Sequence, residues 1–433
     1  MMSSPGAPVR VALLGCGTVG SQVARILVEQ AADLRARVGR PLDLVGIATR
    51  TVRERPGVDP ALLTTDAAAL VARPDVDLVV ELMGGIHPTL ELLTDALAAG
   101  KSVVTANKAL LAQHGGELFE AAERAGVDIY YEAAVAGAIP IIRPLRESLV
   151  GDAVTAVTGI VNGTTNYILD QMHTTGAEYA DALADAQALG YAEADPTADV
   201  EGHDAAAKAA ILASLAFHTR VHLDDVDCEG IAEVGAADIE AAEQIGCVVK
   251  LLARCTLSAD GTIAVGVHPT LVPATHPLAG VRGAFNAVFV ESINAGQLMF
   301  MGPGAGGSPT ASAVLGDVVT AARNRVRGVA GPGESAYSTP GITDPGRVRS
   351  RHHLALVVRD EPGVLARVAA AMAHSGVSIQ EVRQVPLPGD GAHARLSITT
   401  HVASTADLGA VVAELEASDD VSGRIRVLRV EGE

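Results

Sequence analysis

Apolar positions recur along this chain with two alternating periods. Residues 9–14, VRVALL, form a short apolar run closed by glycine, the pattern of a buried strand. Val19, Val23, Ile26 and Leu27 then recur at helical spacing. Short apolar runs at 42–48, 77–82, 101–105 and 128–131 alternate with helical stretches at 88–99 and 109–125. This alternation predicts an α/β domain built on a doubly wound parallel sheet. Near 151 the pattern changes. A strand at 154–161 enters the polar turn Asn162–Asn166, which opens a helix, and helices follow at 178–189 and 204–217. Residues 248–258, 262–271, 284–292 and 296–301 alternate and contain β-branched residues, predicting a sheet and an α+β domain. A helix from about 309 to 327 places Val314, Leu315, Val318 and Val319 on its buried face. Residues 328–350 have the Gly, Pro and Ser content of a linker. Beyond them, strand 353–359, helix 364–374, strands 377–385 and 394–401, helix 405–417 and strand 421–430 give βαββαβ, the ferredoxin-like order.

Length and composition bound what these domains do. At 433 residues the chain needs two or three cores. A net charge of -19, 3% aromatic residues and no Trp argue against a nucleic-acid partner, because the phosphates are repelled and stacking platforms are missing. No apolar run reaches the roughly 18 to 20 residues needed to span a bilayer, and MMSSPGAP lacks a signal-peptide pattern. A cytoplasmic protein without a membrane partner is expected. Cys16, Cys228, Cys247 and Cys255 have no metal-ligand spacing and read as buried free thiols of a reducing compartment.

Candidate chemistry lies at the joints between elements. Gly15-Cys16-Gly17-Thr18-Val19-Gly20 fits GxGxxG between a strand and a helix. Such glycines let the backbone turn tightly and approach a pyrophosphate at a helix N-terminus. After the strand 42–48 stand Arg50 and Arg53, with no acid before Glu54. A guanidinium suits a ribose 2′-phosphate, which favours NADP over NAD. Lys108 follows the carboxyl end of strand 101–105, where open α/β sheets bind ligands. Tyr131–Pro140, YEAAVAGAIP, reads as an irregular turn with exposed carbonyls. Those carbonyls with Glu132 suit a hard monovalent cation, and a close-packed turn explains the segment as well. Met301–Ala311, MGPGAGGSPTA, ends on a helix start, where it either covers a cofactor or serves packing. The stretch 190–218 carries Glu193, Asp195, Asp199, Glu201 and Asp204, then Lys208 as the one cation of an Ala-rich helix. Lys208 there is either a proton donor or half of a surface i,i+4 ion pair worth a few tenths of a kcal/mol.

GCGTVG near the start, VVTANKAL at 103–110, VNGTTNYIL at 161–169, LGYAEADPTADVEGHDAAAKAAIL at 189–212 and MGPGAGGSPTASAV at 301–314 occur in that order. With them the chain closely resembles homoserine dehydrogenase in the form with a C-terminal ACT domain. The resemblance runs from Val9 to the last strand. It implies a Rossmann-type nucleotide-binding domain over 1–150 and a substrate and dimerisation domain over 151–327, whose last helix packs back on the first. A linker, 328–350, and a regulatory ACT domain, 351–433, complete the division. The implied activity is the NAD(P)-dependent interconversion of L-homoserine and L-aspartate 4-semialdehyde. Carried over residue by residue, Lys208 is the general acid and base with Lys108 beside it. Glu193, Asp199, Asp204 and Lys208 match the substrate site. Gly15, Gly17, Thr18, Val19, Gly20, Arg50, Thr105, Lys108, Gly190, Glu193 and Gly306 match the cofactor site. Glu132, Val135, Gly137 and Ile139 match a sodium site, three of them through backbone carbonyls. The resemblance also implies a homodimer or homotetramer paired through the middle domain's sheet. An amino-acid effector, threonine, is expected near Asp360–Gly363. Two rivals remain. An aspartate-semialdehyde dehydrogenase needs a cysteine nucleophile, and Cys228, Cys247 and Cys255 lack the setting for one. A non-catalytic sensor of nucleotide and amino acid leaves the Lys108/Lys208 pair unexplained.

Overall fold

β1 (Val9–Leu14) is buried at every position but Arg10, as a parallel strand covered on both faces requires. α1 (Thr18–Glu29) and α2 (Ala31–Val38) lead to β2 (Leu42–Ala48). β3 (Leu63–Thr64), α3 (Ala67–Ala72), β4 (Leu78–Glu81), α4 (Thr89–Ala98), β5 (Ser102–Thr105), α5 (Lys108–Ala125) and β6 (Ile129–Tyr130) continue the alternation. The strands pair parallel in the order β3-β2-β1-β4-β5-β6. This is the doubly wound sheet the periodicity predicts, with its direction of winding reversing between β1 and β4. Alternate residues of β1 feed opposite cores. Val11 and Leu13 meet Val23, Leu27, Val314 and Val318, whereas Ala12 and Leu14 meet Leu93, Leu97, Leu110 and Leu118.

The computed structural model describes residues 6–53, 57–387, 389 and 391–432. The chain forms two units. One contains residues up to 157 with 207–226 and 285–339; the other contains 158–206, 227–284 and the residues from 340 on. β7 (Val154–Ile160) carries the chain into the second unit, where α6 (Gly163–Thr175), α7 (Tyr179–Ala188) and α8 (Thr197–Val200) follow. α9 (His203–Ala216) carries it back. From Ala205 to Ala216 every side chain of α9 except Lys208 and Ser214 is buried. β8 (Asp227–Cys228), α10 (Ala236–Gln244), β9 (Cys247–Leu257) and β10 (Ile263–Pro273) belong to the second unit. β9 and β10 pair antiparallel from Ile263↔Leu257 to Pro273↔Cys247. β11 (Phe285–Ser292) and β12 (Gly296–Pro303) make an antiparallel hairpin in the first unit, and α11 (Gly307–Arg327) joins the β1 core there.

β13 (Arg349–Arg359), α12 (Val364–His374), β14 (Ile379–Pro386), β15 (His393–Thr400), β16 (Ala403–Ser404), α13 (Thr405–Glu416) and β17 (Val421–Val430) complete the chain. The order β17-β13-β15-β14 is that of a ferredoxin-like sheet, covered by Val368, Met372, Leu408 and Val411. β17 also pairs parallel with β10, Thr270 facing Arg429 and Leu271 facing Val430.

One expectation, that all four cysteines are buried, needs correction, and the connecting segment has contacts its composition did not show. The segment 328–350 has a linker's composition but is tied down. Gly331 N–H donates to Asp128 at 2.5 Å, Glu334 accepts both arms of Arg220 at 3.0 and 2.6 Å, and the Tyr337 ring stacks on His218 with centroids 4.7 Å apart. Ile263 N–H then donates to Gly341 O at 2.9 Å, and Thr343 N–H to Ile263 O at 2.8 Å. Glycine and proline remove helix and strand propensity without preventing specific contacts. Cys228 is exposed, while Cys16, Cys247 and Cys255 are buried; all four are free. No described helix is long and apolar enough to cross a membrane.

Candidate active site

The turn after β1 shows why its glycines are glycines. Gly15 has φ +99°, and a Cβ there would stand 2.5 Å from Leu82 O. A Cβ on Gly20 would stand 2.2 Å from Gly15 O, so this glycine lets α1 press against the turn. Around a Cβ on Gly17 the described residues leave open space to 4 Å. Gly17 caps α1 without a side-chain hydrogen bond, and the first turn holds no acid. Gly17 and Thr18 are exposed and Val19 half-buried, so N–H groups of the first turn face outward beside the positive end of the helix. The cradle fits a pyrophosphate. Gly15 N–H donates to Ala48 O at 2.9 Å, so β2 ends beside the turn, and exposed Arg50 follows two residues on. Arg53 is exposed too; Glu54 lies outside the described residues.

The loop before α11 closes on the same turn. A Cβ on Gly307 would stand 2.9 Å from Thr18 O, and Ser308 Oγ donates to Gln22 Oε1 at 3.3 Å. Gly306 has φ +118°. Gly304 O lies 2.3 Å from where a Cβ on Gly137 would be. The glycine-rich loop is therefore wedged between the phosphate turn and the 135–139 turn.

Glu81, at the end of β4, carried no signal in the sequence beyond its place at a strand's carboxyl end. It is fully buried and accepts from Met83 N–H at 2.7 Å, Gly84 N–H at 2.9 Å and Thr105 Oγ1 at 2.6 Å. Burial pushes its carboxyl above the usual range against those bonds. Thr105 passes the order on, its Oγ1 accepting from Asn107 N–H at 3.0 Å. Asn107 caps α5 through Leu110 N–H at 3.2 Å and donates to Gly85 O at 2.6 Å. Lys108, half-buried, is thus the first residue of a helix whose start is fixed on the ends of two strands, β4 and β5. Leu111 and Ala112 line a cavity of about 210 Å³, as do Ile211 and Leu215 of α9. Lys108 stands three and four residues before the first pair, and Lys208 three and seven before the second. Residues 111–117 of α5 all line the cavity, so spacing gives Lys108 no cavity-facing side, and neither lysine lines the cavity itself.

In the second unit Asn162 gathers two of the predicted carboxylates. Its Nδ2 donates to Asp199 Oδ1 at 2.7 Å and to Asp204 Oδ2 at 2.9 Å, while Oδ1 accepts from Thr165 N–H at 2.9 Å as the cap of α6. Only its place in a polar turn marked Asn162 in the sequence. Asp195 turns instead to Thr197 N–H at 3.1 Å, a local turn bond. Gly190 has φ +76° just beyond α7, and Glu193 is exposed, its carbonyl accepting from Gln187 at 3.1 Å.

The 131–140 turn is irregular as expected, but buried rather than exposed. Ala136 and Gly137 have φ of +56° and +59°. Glu132 Oε1 accepts from Ile141 and Ile142 N–H at 2.6 and 2.8 Å, and Oε2 from Arg143 N–H at 3.0 Å. Asp317 of α11 accepts from Glu132 N–H at 2.7 Å and from Arg143 at 2.6 Å. Burial drives Asp317 up to about 7. Among the described residues no N–H donates to the carbonyls of Val135, Gly137 or Ile139. Buried carbonyls without donors, beside a carboxylate, fit a hard cation.

The family model for homoserine dehydrogenase matches residues 140–319, that for the homoserine dehydrogenase NAD-binding domain matches 15–132, and that for the ACT domain matches 352–420. The homoserine dehydrogenase of Corynebacterium glutamicum is 56% identical over 432 residues, covering 99% of this chain and 96% of its own. That of Bacillus subtilis is 41% identical, with 98% of each chain covered. The crystal structure of a homoserine dehydrogenase from Thiobacillus denitrificans superposes with a TM-score of 0.92 at 39% identity, over 98% of both chains. A hyperthermophilic archaeal homoserine dehydrogenase in complex with NADPH superposes with a TM-score of 0.64 at 28% identity, over 76% of this chain and 100% of that one.

Proposed function

The chain belongs to the homoserine dehydrogenase family and interconverts L-aspartate 4-semialdehyde and L-homoserine with a nicotinamide cofactor, and we propose that Lys208 is its general acid and base with Lys108 as electrostatic partner. The supporting observation is that Asn162 binds both Asp199 and Asp204, and that Asp204 stands four residues before Lys208 on α9, so carboxylate and lysine share one helix face. Reducing an aldehyde requires a hydride at carbon and a proton at oxygen. The dihydronicotinamide, when bound, supplies the hydride. The Lys208 ammonium donates the proton to the developing alkoxide, worth on the order of 10²- to 10⁴-fold in rate. The Lys108 ammonium stabilises the negative charge before that proton arrives. In the oxidative direction Lys208, deprotonated, takes the hydroxyl proton. Asp199 and Asp204, held by Asn162, supply anionic partners for the substrate ammonium, and Glu193 adds a third.

The cofactor site comprises Gly15, Gly17, Thr18, Val19, Gly20, Arg50, Thr105, Lys108, Gly190, Glu193 and Gly306. Arg50 beyond β2 favours NADP over NAD, and the archaeal relative named with NADPH supports that choice. Glu132 with the carbonyls of Val135, Gly137 and Ile139 holds a sodium ion that braces the turn under Gly304. The chain divides by role into 1–150 for cofactor, 151–327 for substrate and pairing, 328–350 as connector, and 351–433 for regulation by threonine. It works as a homodimer or homotetramer, which the exposed apolar residues Phe285, Ile293 and Met301 of the β11–β12 hairpin support. Four unbridged cysteines favour the cytoplasm.

The test is NADPH oxidation with aspartate semialdehyde. Lys208→Ala lowers turnover by roughly 10²- to 10⁴-fold and leaves NADPH binding, read by fluorescence titration, unchanged. A variant that loses cofactor binding, or keeps wild-type turnover, contradicts the assignment.

A further inference from the structure

We propose that Lys250 is a positioning residue for the substrate's ammonium: through Asn166 it fixes the first turn of α6, and with it the Asn162 amide that gathers Asp199 and Asp204. This rests on the reading that those two carboxylates bind the ammonium, and it adds a residue which that reading does not use.

Lys250, on β9, is 1% exposed and is the largest fully buried side chain among the described residues. A buried ammonium is costly unless it is paired. Lys250 makes no ion pair among the described residues. Its Nζ donates to Asn166 Oδ1 at 2.9 Å and to Val281 O at 2.6 Å, both neutral acceptors. The Asp170 carboxylate acts on it from beyond ion-pair distance, with Oδ1 held by Arg282 at 2.9 Å and Oδ2 by Gly283 N–H at 2.7 Å. Burial draws Lys250 down to about 8, Asp170 opposing the fall and Arg282 adding to it, so the side chain is still mostly protonated at neutral pH. A charge kept inside against neutral partners contributes little to stability, and its use lies in what it holds. Asn166 is buried as deeply, and its Nδ2 donates to Gly283 O at 2.8 Å and to Val281 O at 3.3 Å. Lysine and amide together tie the first turn of α6 to β9 and to the segment 281–283.

The other end of that turn is the carboxylate cluster. Asn166 N–H donates to Asn162 O at 3.3 Å, the bond that closes the turn. Asn162 caps the helix through Thr165 N–H at 2.9 Å, while its Nδ2 holds Asp199 and Asp204 at 2.7 and 2.9 Å. A shift of about 0.5 Å in the turn carries those contacts to the limit of hydrogen-bond length. An apolar side chain in place of Lys250 fills similar space but removes a donor from Asn166 Oδ1 and Val281 O. The Asn166 amide then loses the bond that fixes it, and the turn loses its tie to β9. Relief of the buried charge and loss of two hydrogen bonds act on stability in opposite directions. The loss therefore falls on substrate binding more than on folding.

The experiment uses the full chain and follows homoserine oxidation, NADPH binding by fluorescence titration, and thermal melting. Lys250→Met raises KM for homoserine roughly fivefold or more, because a displaced cluster binds the ammonium less well in ground and transition state alike. Its kcat stays within about threefold and its NADPH affinity within about twofold of wild type, and it melts within a few degrees of wild type. Asn166→Ala breaks the same link from the other side and raises KM by a similar factor; it tests the link where Lys250→Met does not fold. In the double variant, Lys250→Met adds less than about twofold to the effect of Asn166→Ala, since both remove one connection. Asp204→Asn reports separately on the ammonium reading. An unchanged KM in Lys250→Met, with a raised KM in Asp204→Asn, overturns the positioning role and leaves the ammonium reading standing. Factors that multiply in the double variant overturn it as well, because the lysine then acts without Asn166. A raised KM matched by an equal fall in kcat and a large fall in melting temperature marks a merely structural part and overturns it too. An unchanged KM in Asp204→Asn overturns the ammonium reading and the positioning role with it.

Discussion

Asn162 has two amide hydrogens and spends one on each of two carboxylates, at 2.7 and 2.9 Å. Without it Asp199 and Asp204 repel each other, and, on the proposal that they bind the substrate ammonium, that site opens. Asn162→Ala therefore raises KM for homoserine about tenfold or more, with a smaller effect on kcat, because the ammonium is bound alike in ground and transition states. The lost α6 cap also costs about 1 kcal/mol of stability, read by denaturant unfolding. A variant with unchanged KM removes the ammonium role from this cluster. Arg50 makes a second residue-scale claim. Arg50→Ala weakens NADPH roughly tenfold more than NADH, since only the 2′-phosphate needs the guanidinium. Equal losses for both cofactors exclude that contact. The sequence displayed these two residues unequally. The place of Arg50 beyond β2 was legible because a strand, a glycine turn and the missing acid are all local. Asn162 was not, because nothing in its spacing says that an amide at 162 meets carboxylates 37 and 42 residues on.

At the scale of elements, α11 joins the phosphate turn to the cation turn. Gly307 lies against Thr18 at one end of the helix's first turn, and Asp317 holds Glu132 and Arg143 farther along. The helix was predicted from periodicity, starting two residues late, but its two partners are 289 and 185 residues away in sequence and left no pattern. Short elements were missed for another reason. α2, α3, α8 and α10 span few turns, too few to establish a period. Asp317 gives the element a pH dependence. Burial raises it to about 7, and the nearby Glu132 carboxylate adds to the rise while the Glu132 N–H and Arg143 oppose it. Between its unfolded value near 4 and about 7, the folded chain then binds more protons than the unfolded one. The stability Asp317 contributes is full below that window and falls as pH rises through it. Asp317→Asn cannot titrate, so the melting-temperature advantage of wild type over the variant is largest near pH 4 and shrinks toward pH 7, by scanning calorimetry. An advantage that stays constant or grows with pH contradicts the burial argument.

For the whole molecule, the question is whether the C-terminal domain is detachable. Its composition boundary and its own βαββαβ core suggest that it is. The second unit argues otherwise. β10 is buried at all but its last residue and carries β9 on one edge and β17 on the other. Glu431 N–H extends that pairing to Leu271 O at 2.8 Å. Arg426 reaches Asp238 of α10 at 3.1 Å, where the carboxylate is almost fully buried, and Arg395 pairs with Glu240 at 3.0 Å. Strand partners are invisible to hydrophobic periodicity, because a central strand reads the same whichever strand lies beside it. Removing residues 351–433 therefore does more than relieve regulation. It bares the β10 edge, a template for pairing with another copy, and strands Asp238 without its guanidinium. The shortened chain is expected to melt several degrees lower, and to elute from a sizing column as large aggregates in proportion to its concentration. A shortened chain that stays monodisperse with wild-type melting shows instead that the β10–β17 seam carries no stability, and that the domain is an appendage joined only by its connector.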